Sequence, residues 1–378
     1  MAEADLTARI ASGVATLPAA EWDALAGPDN PFMSHGFLSA LEDSGSVGPG
    51  TGWTPAPLVI EDGAGHLLAA LPAYAKGHSQ GEYVFDHAWA DAWERAGGHY
   101  YPKLQIAAPF TPATGPRLLL ADPAYAAQLL GAAEQLCRQR GFSSAHATFI
   151  EPGQLVLFER AGWLARSDIQ FHWLNRGYGS FEDFLGALSS RKRKAIRKER
   201  LAAQDGVEIR ALTGDDIRPE HWDAFWRFYQ DTGARKWGQP YLTRAAFDLI
   251  GERIGESVLL LLAYADGRAI AGALNFIGGE AIYGRYWGAL VDKPFLHFEL
   301  CYYRAIEAAI ERGLARAEAG AQGGHKLARG YEPVETSSMH WIADPGFRHA
   351  VGDFLERERR GVAQERLVLG ERTPFKKG

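Results

Sequence analysis

The densest chemistry in this 378-residue sequence runs from Glu318 through Gly320, Gln322-Gly323-Gly324-His325-Lys326 to Arg329. A carboxylate at the end of a short apolar strand, a glycine pair, and then His, Lys and Arg place proton-transferring and cationic groups on one loop. Loops on a rigid scaffold are where such groups concentrate, and His325 is the one that titrates nearest neutral pH. Together they could move a proton to or from a reacting group and hold an anion. The strand Ala281–Leu290 adds Tyr286 and Trp287 beside Gly284 and Gly288. Glycine inside a strand marks a bulge or a close approach to a ligand, so these aromatics either line a cleft or fill the core. Glu299, behind His297-Phe298, can act as a base or satisfy a helix N-terminus. The catalytic candidates are therefore His325, Glu318, Glu299 and Tyr286, with Trp287, Lys326 and Arg329 as substrate contacts.

Two other segments carry recognition chemistry. From Arg191 to Arg200 the bases are Arg191, Lys192, Arg193, Lys194, Arg197, Lys198 and Arg200, against the single acid Glu199. Ser189-Ser190 supply an N-cap and Ala195-Ile196 suit a helix. Arg191, Lys192, Lys194 and Arg197 are candidates for binding donor phosphates, a tRNA backbone or a phosphorylated acceptor, or they form a solvated face. The window's +6 sits in a chain of net charge −6, with 40 basic and 46 acidic residues, which argues against a chain-wide nucleic-acid footprint. The second segment, about 76–112, is rich in aromatics. Asp86, Trp89, Tyr101 and Lys103 within it suit recognition of a small molecule or peptide, or burial against a neighbouring domain.

Other classes are disfavoured. Cys137 and Cys301 are the only cysteines, and no His-x₃-His, His-Glu-x-x-His or Cys-pair pattern occurs, so neither a disulfide framework nor a metal site is expected. The longest apolar run, Val258–Ala265, is far short of the roughly 20 residues of a membrane helix. The acidic start has no apolar stretch behind it. At 47% apolar and 23% charged, the sequence reads as a soluble, cytoplasmic protein of two domains.

The elements that must position these groups occur twice. Glu21-Trp22-Asp23-Ala24-Leu25 reappears as His221-Trp222-Asp223-Ala224-Phe225. Apolar runs flank Asp62-Gly63 and again Asp266-Gly267, each a hairpin signal. An amphipathic helix ends at Gly141 and another at Gly313, with basic residues in the last turn. The strands Ser144–Ile150 and Ala315–Gly320 follow. Gly162-Trp163 precedes His172-Trp173 as Gly330-Tyr331 precedes His340-Trp341. The spacing between copies falls from 204 at the hairpins to 172 at the helix ends, which places an extra 32 residues in the first half. The first-half stretch Glu151–Phe158 lacks the polar set of 318–329, so catalysis is assigned to the second half. His340 and His172 hold equivalent positions in both halves, which favours a structural role.

This order of elements, doubled, resembles two GNAT acyltransferase units, and the chain resembles the FemAB-like predicted N-acyltransferases, the peptidoglycan biosynthesis or recognition proteins. The likeness rests on Phe85-Asp86-His87-Ala88-Trp89, Tyr100-Tyr101-Pro102-Lys103, Pro109-Phe110-Thr111-Pro112, His297-Phe298-Glu299, Glu318 to Lys326, Arg329-Gly330-Tyr331-Glu332-Pro333 and Ser338-Met339-His340-Trp341. It implies an α/β (α+β) fold of two tandem GNAT-like domains with mixed, mostly antiparallel sheets flanked by helices. The N-terminal domain would span 1–178, a basic connecting helix 179–204 and the catalytic C-terminal domain 205–378. It also implies N-acyl transfer from an acyl-CoA co-substrate to a small-molecule or peptide amine, with no permanently bound cofactor. Fem-type proteins carry a similar basic helix, which keeps an aminoacyl-tRNA donor open. A non-catalytic module recognising a cell-wall precursor or peptide is the third reading. One departure bears on the donor. The GNAT pyrophosphate loop, Gln/Arg-x-x-Gly-x-Gly/Ala, is replaced by Asp292-Lys293-Pro294-Phe295-Leu296-His297-Phe298, which has no glycine and loses a donor at proline.

Overall fold

The computed structural model describes residues 6–236, 240–320 and 323–376; Ala321 and Gln322 lie outside the described residues. The chain starts with β1 (Thr7–Ile10), α1 (Ala19–Ala26), α2 (His35–Asp43) and β2 (Trp53–Pro55). The hairpin β3 (Leu58–Glu61) and β4 (Leu67–Leu71) follows, then β5 (Ala73–Lys76), α3 (His87–Arg95), β6 (Lys103–Ile106) and β7 (Leu119–Leu120). After these come α4 (Ala126–Arg140), β8 (Ser144–Ile150), α5 (Pro152–Arg160) and β9 (Leu164–Leu174). The second half opens with α6 (Phe181–Ala187), α7 (Ser190–Gln204), β10 (Glu208–Leu212), α8 (Pro219–Lys236) and α9 (Arg244–Ile254). The strands β11 (Val258–Ala265), β12 (Arg268–Ile277) and β13 (Ala281–Ala289) lead into α10 (Leu296–Phe298), a π-helical turn Glu299–Tyr303 and α11 (Arg304–Glu311). Last are β14 (Arg316–Glu318), β15 (Glu332–Ile342) and α12 (Pro345–Gly370).

Contacts divide the chain into two compact units that exchange segments. Unit 1 is Met1–Asp168 with Glu335–Gln364, and unit 2 is Ile169–Val334 with Glu365–Gly378. The last strand of each repeat therefore completes the sheet of the other. In unit 1, His340 of β15 pairs with His146 of β8; in unit 2, His172 of β9 pairs with Glu318 of β14.

In unit 1 the strands order as β1-β3-β4-β7 and as β15-β8-β6-β5-β2. Period-two alternation sorts the second set. Leu104, Ile106, Ala145, Ala147, Met339 and Trp341 pack into one core with Leu129, Leu130, Ala133 and Cys137 of α4. Gln105 and His146, in register with each other, alternate with these residues and are also buried. Burial pushes the Cys137 thiol up to about 12. α4 stops at Gly141, whose φ of 69° lets its N–H reach the Cys137 carbonyl.

Unit 2 runs β10-β11-β12-β13-β14-β9. Ala271, Ala273, Ile282 and Ala317 form a core with Leu300, Tyr303, Ile306 and Ala309 from the helical segment that follows β13. Leu300 and Ile306 are fully buried, worth about 2 kcal/mol each in apolar burial. On the opposite face α8 packs so closely that a Cβ at Gly288 would collide with the Phe228 carbonyl. Helix packing therefore accounts for Gly288.

The two hairpins differ. Asp266 (φ 49°) and Gly267 (φ 72°) form the two-residue turn their sequence suggests. At Asp62-Gly63 the loop runs on to His66. The Asp62 carboxylate accepts from the Ala64 and His66 amides, both at 2.9 Å, and Gly65 takes the positive φ of 87°. An Asx turn has captured the backbone.

Candidate functional site

Unit 2 opens where β13 leaves β14. The two pair in parallel only through Ala281–Arg316, Ile282–Ala317 and Tyr283–Glu318. Beyond Tyr283 no further β13–β14 register pair forms among the described residues, and the pairing of β13 with β12 slips: Asn275 faces Gly284, whereas Leu274 faces Tyr286. Arg285 is the extra residue of a bulge, a device that bends a strand and re-aims its side chains. A pocket of about 130 Å³ occupies the opening, walled by Asn275, Gly284, Arg285, Tyr286, Trp287, His297, Cys301, Tyr302 and Ala319 among others. Tyr286 stacks edge-on to Tyr229 of α8 at 5.2 Å, and Trp287 edge-on to His297 at 5.2 Å. Both aromatics proposed for a cleft thus reach the pocket wall.

Two wall residues stand out chemically. Tyr302 lies in the π-helical turn, a distortion frequent at functional sites. Its hydroxyl sits 2.8 Å from Nε2 of His325, and its ring stacks on Phe298 at 5.9 Å. Burial pushes the phenol well above its usual range, so it stays protonated. His325 stands at the exposed end of this pair; partial burial, Lys326 and Arg329 all lower its pKa, which favours neutral imidazole. Gly323, with φ 125°, is required there, because a Cβ would come within 2.6 Å of the His325 ring. Asn275 is 1% exposed. Its Nδ2 reaches the Leu259 carbonyl at 3.3 Å, but its Oδ1 has no hydrogen-bond partner among the described residues. A buried acceptor left unpaired at a pocket wall is a place for a ligand donor.

Of the 318–329 segment Ala319 lines the pocket, and the charged groups proposed from the sequence stand behind that lining. Glu318 is buried; Oε1 accepts from Arg316 Nε at 2.9 Å, and Oε2 lies 3.7 Å from His172 Nε2. Lys326 is 1% exposed and donates to the Gly320 carbonyl at 2.8 Å; burial brings its pKa down to about 8. Arg329 lies 3.4 Å over the Phe298 ring and donates to the His325 carbonyl and to Glu199.

The family model of the FemAB-like proteins, described as peptidoglycan biosynthesis/recognition, matches residues 13–377. The chain belongs to the FemAB-like family. The crystal structure of FemX matches with a TM-score of 0.56 at 13% identity, covering 89% of this chain and 98% of that one. The C-terminal domain of a putative lysylphosphatidylglycerol synthetase from Agrobacterium fabrum matches at 0.52 and 12% identity, over 88% and 94%. L-PGS from Bacillus licheniformis matches at 0.50 and 11%, over 87% and 98%. At these identities the likeness is one of fold: mixed sheets flanked by helices over nearly the full chain. No curated protein matches the sequence.

The remaining sequence candidates of this FemAB-like chain lie elsewhere. Glu299 is fully buried in unit 2, where Arg200 grips it through two nitrogens at 3.0 Å each and Gln204 adds a bond at 2.9 Å. Arg304 Nε is also 3.0 Å away. Its oxygens are thus occupied by α7, and it does not line the pocket. The basic stretch is helical as α7, but 179–204 holds two helices, α6 and α7, in place of one connecting helix, because the chain leaves the helical conformation at Leu188 and Ser189; Ser189 makes no side-chain cap. Arg191, Lys194 and Arg197 are exposed and Lys192 half-buried; Arg197 pairs with Glu182.

In unit 1, Asp86, Lys103 and Trp89 are buried. Lys103 Nζ is bonded to Ser79 (2.7 Å), Glu82 (2.8 Å) and Asp86 (2.5 Å), and Tyr101 donates to the same Ser79 hydroxyl at 2.9 Å. Tyr100 donates to Asp86 at 2.7 Å, and His146 and His340 share a hydrogen bond of 2.7 Å between their Nδ1 atoms. Burial drives His146 down to about 3 and holds His340 well below its usual value. Lys103 and its neighbours hold Asp86 far below the usual carboxylate range despite burial. These residues are bonded to one another in a buried ion network within unit 1, where the sequence left open either a recognition surface or burial against a neighbouring domain. Tyr302 and Asn275, absent from the sequence-based set, are the pocket's own contribution. Among the described residues, no group of three or more His, Cys, Asp or Glu could hold a metal.

Proposed function

We propose that this protein is an N-acyltransferase whose reaction centre is the unit 2 pocket. The observation that carries the reading is the opening of β13 from β14 past Tyr283, with the bulge at Arg285 and Tyr302 on the facing wall. Membership of the FemAB-like family supports an acyl or aminoacyl transferase with a peptidoglycan-related amine as acceptor.

The chemistry follows from the pair. The acceptor nitrogen attacks the donor carbonyl, forming the N–C bond and an oxyanion that backbone N–H groups at the strand opening would stabilise. The nitrogen's extra proton passes to the Tyr302 oxygen as the Tyr302 proton moves to Nε2 of neutral His325. Collapse of the intermediate breaks the bond to the leaving group, which takes that proton back along the same path. Asn275 Oδ1 would accept from an N–H of the bound substrate, and Tyr286 and Trp287 would wall the acyl group. Glu318 positions the strand end, and Glu299 anchors α7.

The first donor is an acyl-CoA. A second donor, aminoacyl-tRNA, is favoured by the segment before α10: Lys293 is spent on the Asp205 carbonyl, and the Leu296 and Glu299 amides bond to Lys293 and Phe295. That leaves few amides for a pyrophosphate. Native mass spectrometry of the purified chain with acetyl-CoA and with aminoacyl-tRNA tests the donor. A CoA-sized adduct supports the first, a tRNA-sized adduct lost in K192E/K194E supports the second, and no adduct with either, together with no transfer to any amine, overturns the assignment.

A further inference from the structure

We propose that unit 2 carries a docking surface for an anionic lipid bilayer, made by the loop 290–295 and the exposed face of α7. Three large apolar side chains stand out from that loop: Leu290 (52% exposed), Val291 (43%) and Phe295 (39%). Single exposed apolar residues are ordinary, but three in six positions make a patch that marks an interaction. Asp292 is the one acid among them.

The loop is held in shape and joined to the basic helix. Phe295 sits at φ 65°, in the left-handed region that a bulky residue adopts only when its surroundings impose it. Lys293 Nζ donates to the Asp205 carbonyl at 2.7 Å, immediately past α7, and α10 packs against α7. One turn before that junction Leu201 is 75% exposed, the most exposed large apolar side chain among the described residues.

α7 adds the charge. Arg191, Lys194 and Lys198 are exposed at spacings that put them along one face, and Arg197 beside them pairs with Glu182. The helix's own acid, Glu199, is turned to Arg329 and Tyr303. So the outward face is cationic although the chain as a whole carries −6. A polyphosphate alone would meet the cations and leave Leu201, Leu290 and Val291 in water. An anionic bilayer surface accommodates both, with the apolar tips at the acyl boundary and the cations among headgroups.

Flotation of the full chain with vesicles tests this without reference to turnover, so its failure is separate from that of the acyltransferase reading. The chain is expected to float with phosphatidylglycerol-containing vesicles and not with pure phosphatidylcholine, and to be released by salt. K194A/K198A should weaken partitioning roughly 30-fold, since each cation near such a surface is worth about a factor of five. L290S/V291S/F295S should abolish it with the circular dichroism spectrum retained, and L201S, at a fully solvated position, should weaken it if the triple variant does not fold. Equal flotation with neutral and anionic vesicles, or wild-type flotation of the loop variants, overturns the proposal. Loss of tRNA binding in K194A/K198A with vesicle binding unchanged would make the face a nucleic-acid surface instead.

Discussion

The Tyr302 hydroxyl lies 2.8 Å from Nε2 of His325, joining the wall of the pocket to the loop that the sequence marks as richest in chemistry. Burial keeps the phenol protonated, and the cations Lys326 and Arg329 help keep the imidazole neutral. The pair is therefore loaded in one direction, with the proton on oxygen and the acceptor on nitrogen.

Removing the hydroxyl tests its part. Tyr302→Phe is expected to lower kcat at least about 100-fold with KM changed little, as for loss of a general acid–base group. His325→Ala should cost a similar factor, and the double variant no more than the worse single one, because the two act as a unit. Steady-state kinetics of the three variants, with thermal melts to confirm folding, measure this.

The pH dependence has a definite sign. His325 must be neutral to accept the proton, and its pKa in the folded protein is lowered from 6.5. The contribution of His325 is thus complete above that value and is lost as pH drops through the lowered pKa. The acid limb of the kcat/KM profile should lie below 6.5, and Lys326→Met, which removes a neighbouring positive charge, should move it upward. A limb unmoved by that substitution would assign it to another group.

Asn275 is predicted to act on binding. An acceptor buried without a partner costs about 1–3 kcal/mol until a ligand donor satisfies it. Asn275→Ala should therefore raise the donor or acceptor KM by roughly 10-fold with kcat nearly unchanged. Titration calorimetry with each substrate identifies which N–H it receives.

Lys103 is predicted to act on stability. It holds Glu82 and Asp86 inside unit 1; Lys103→Met leaves buried Asp86 without its lysine and Glu82 with only Lys76, 3.5 Å away, at a cost of about 3–5 kcal/mol. Urea denaturation measures the loss. A folded variant of unchanged stability and weakened acceptor binding would restore the recognition role.

How much of this was legible can be argued from particular residues. The Asp266-Gly267 turn, the Gly141 helix stop and the doubled order of elements are local signals, and local physics produced them. His325 could be singled out because a glycine pair followed by His, Lys and Arg puts proton-transferring and cationic groups on one loop. Tyr302 was not, because Leu300-Cys301-Tyr302-Tyr303 reads as a buried helix face, and the π turn that aims its hydroxyl leaves no mark in the pattern. Asn275 is one polar residue in an apolar strand; only the one-residue slip against β13 brings it to the pocket. Asp86 and Lys103 have the composition of a recognition surface, and nothing local distinguishes that from an ion network closed on itself. The strand exchange was equally hidden, since the two His-Trp strands suit either sheet.

Alkylation of Cys301 tests the central claim most directly. Cys301 lines the pocket, whereas Cys137 is fully buried with its thiol pushed up to about 12, so the two are separable by peptide mass spectrometry after iodoacetamide treatment. If the pocket holds the acyl donor, the donor that supports turnover, acetyl-CoA or aminoacyl-tRNA, slows labelling of Cys301 in a saturable way and leaves Cys137 unlabelled throughout. A donor that is turned over while Cys301 reacts at its unliganded rate would contradict the account and move the reaction centre out of this pocket.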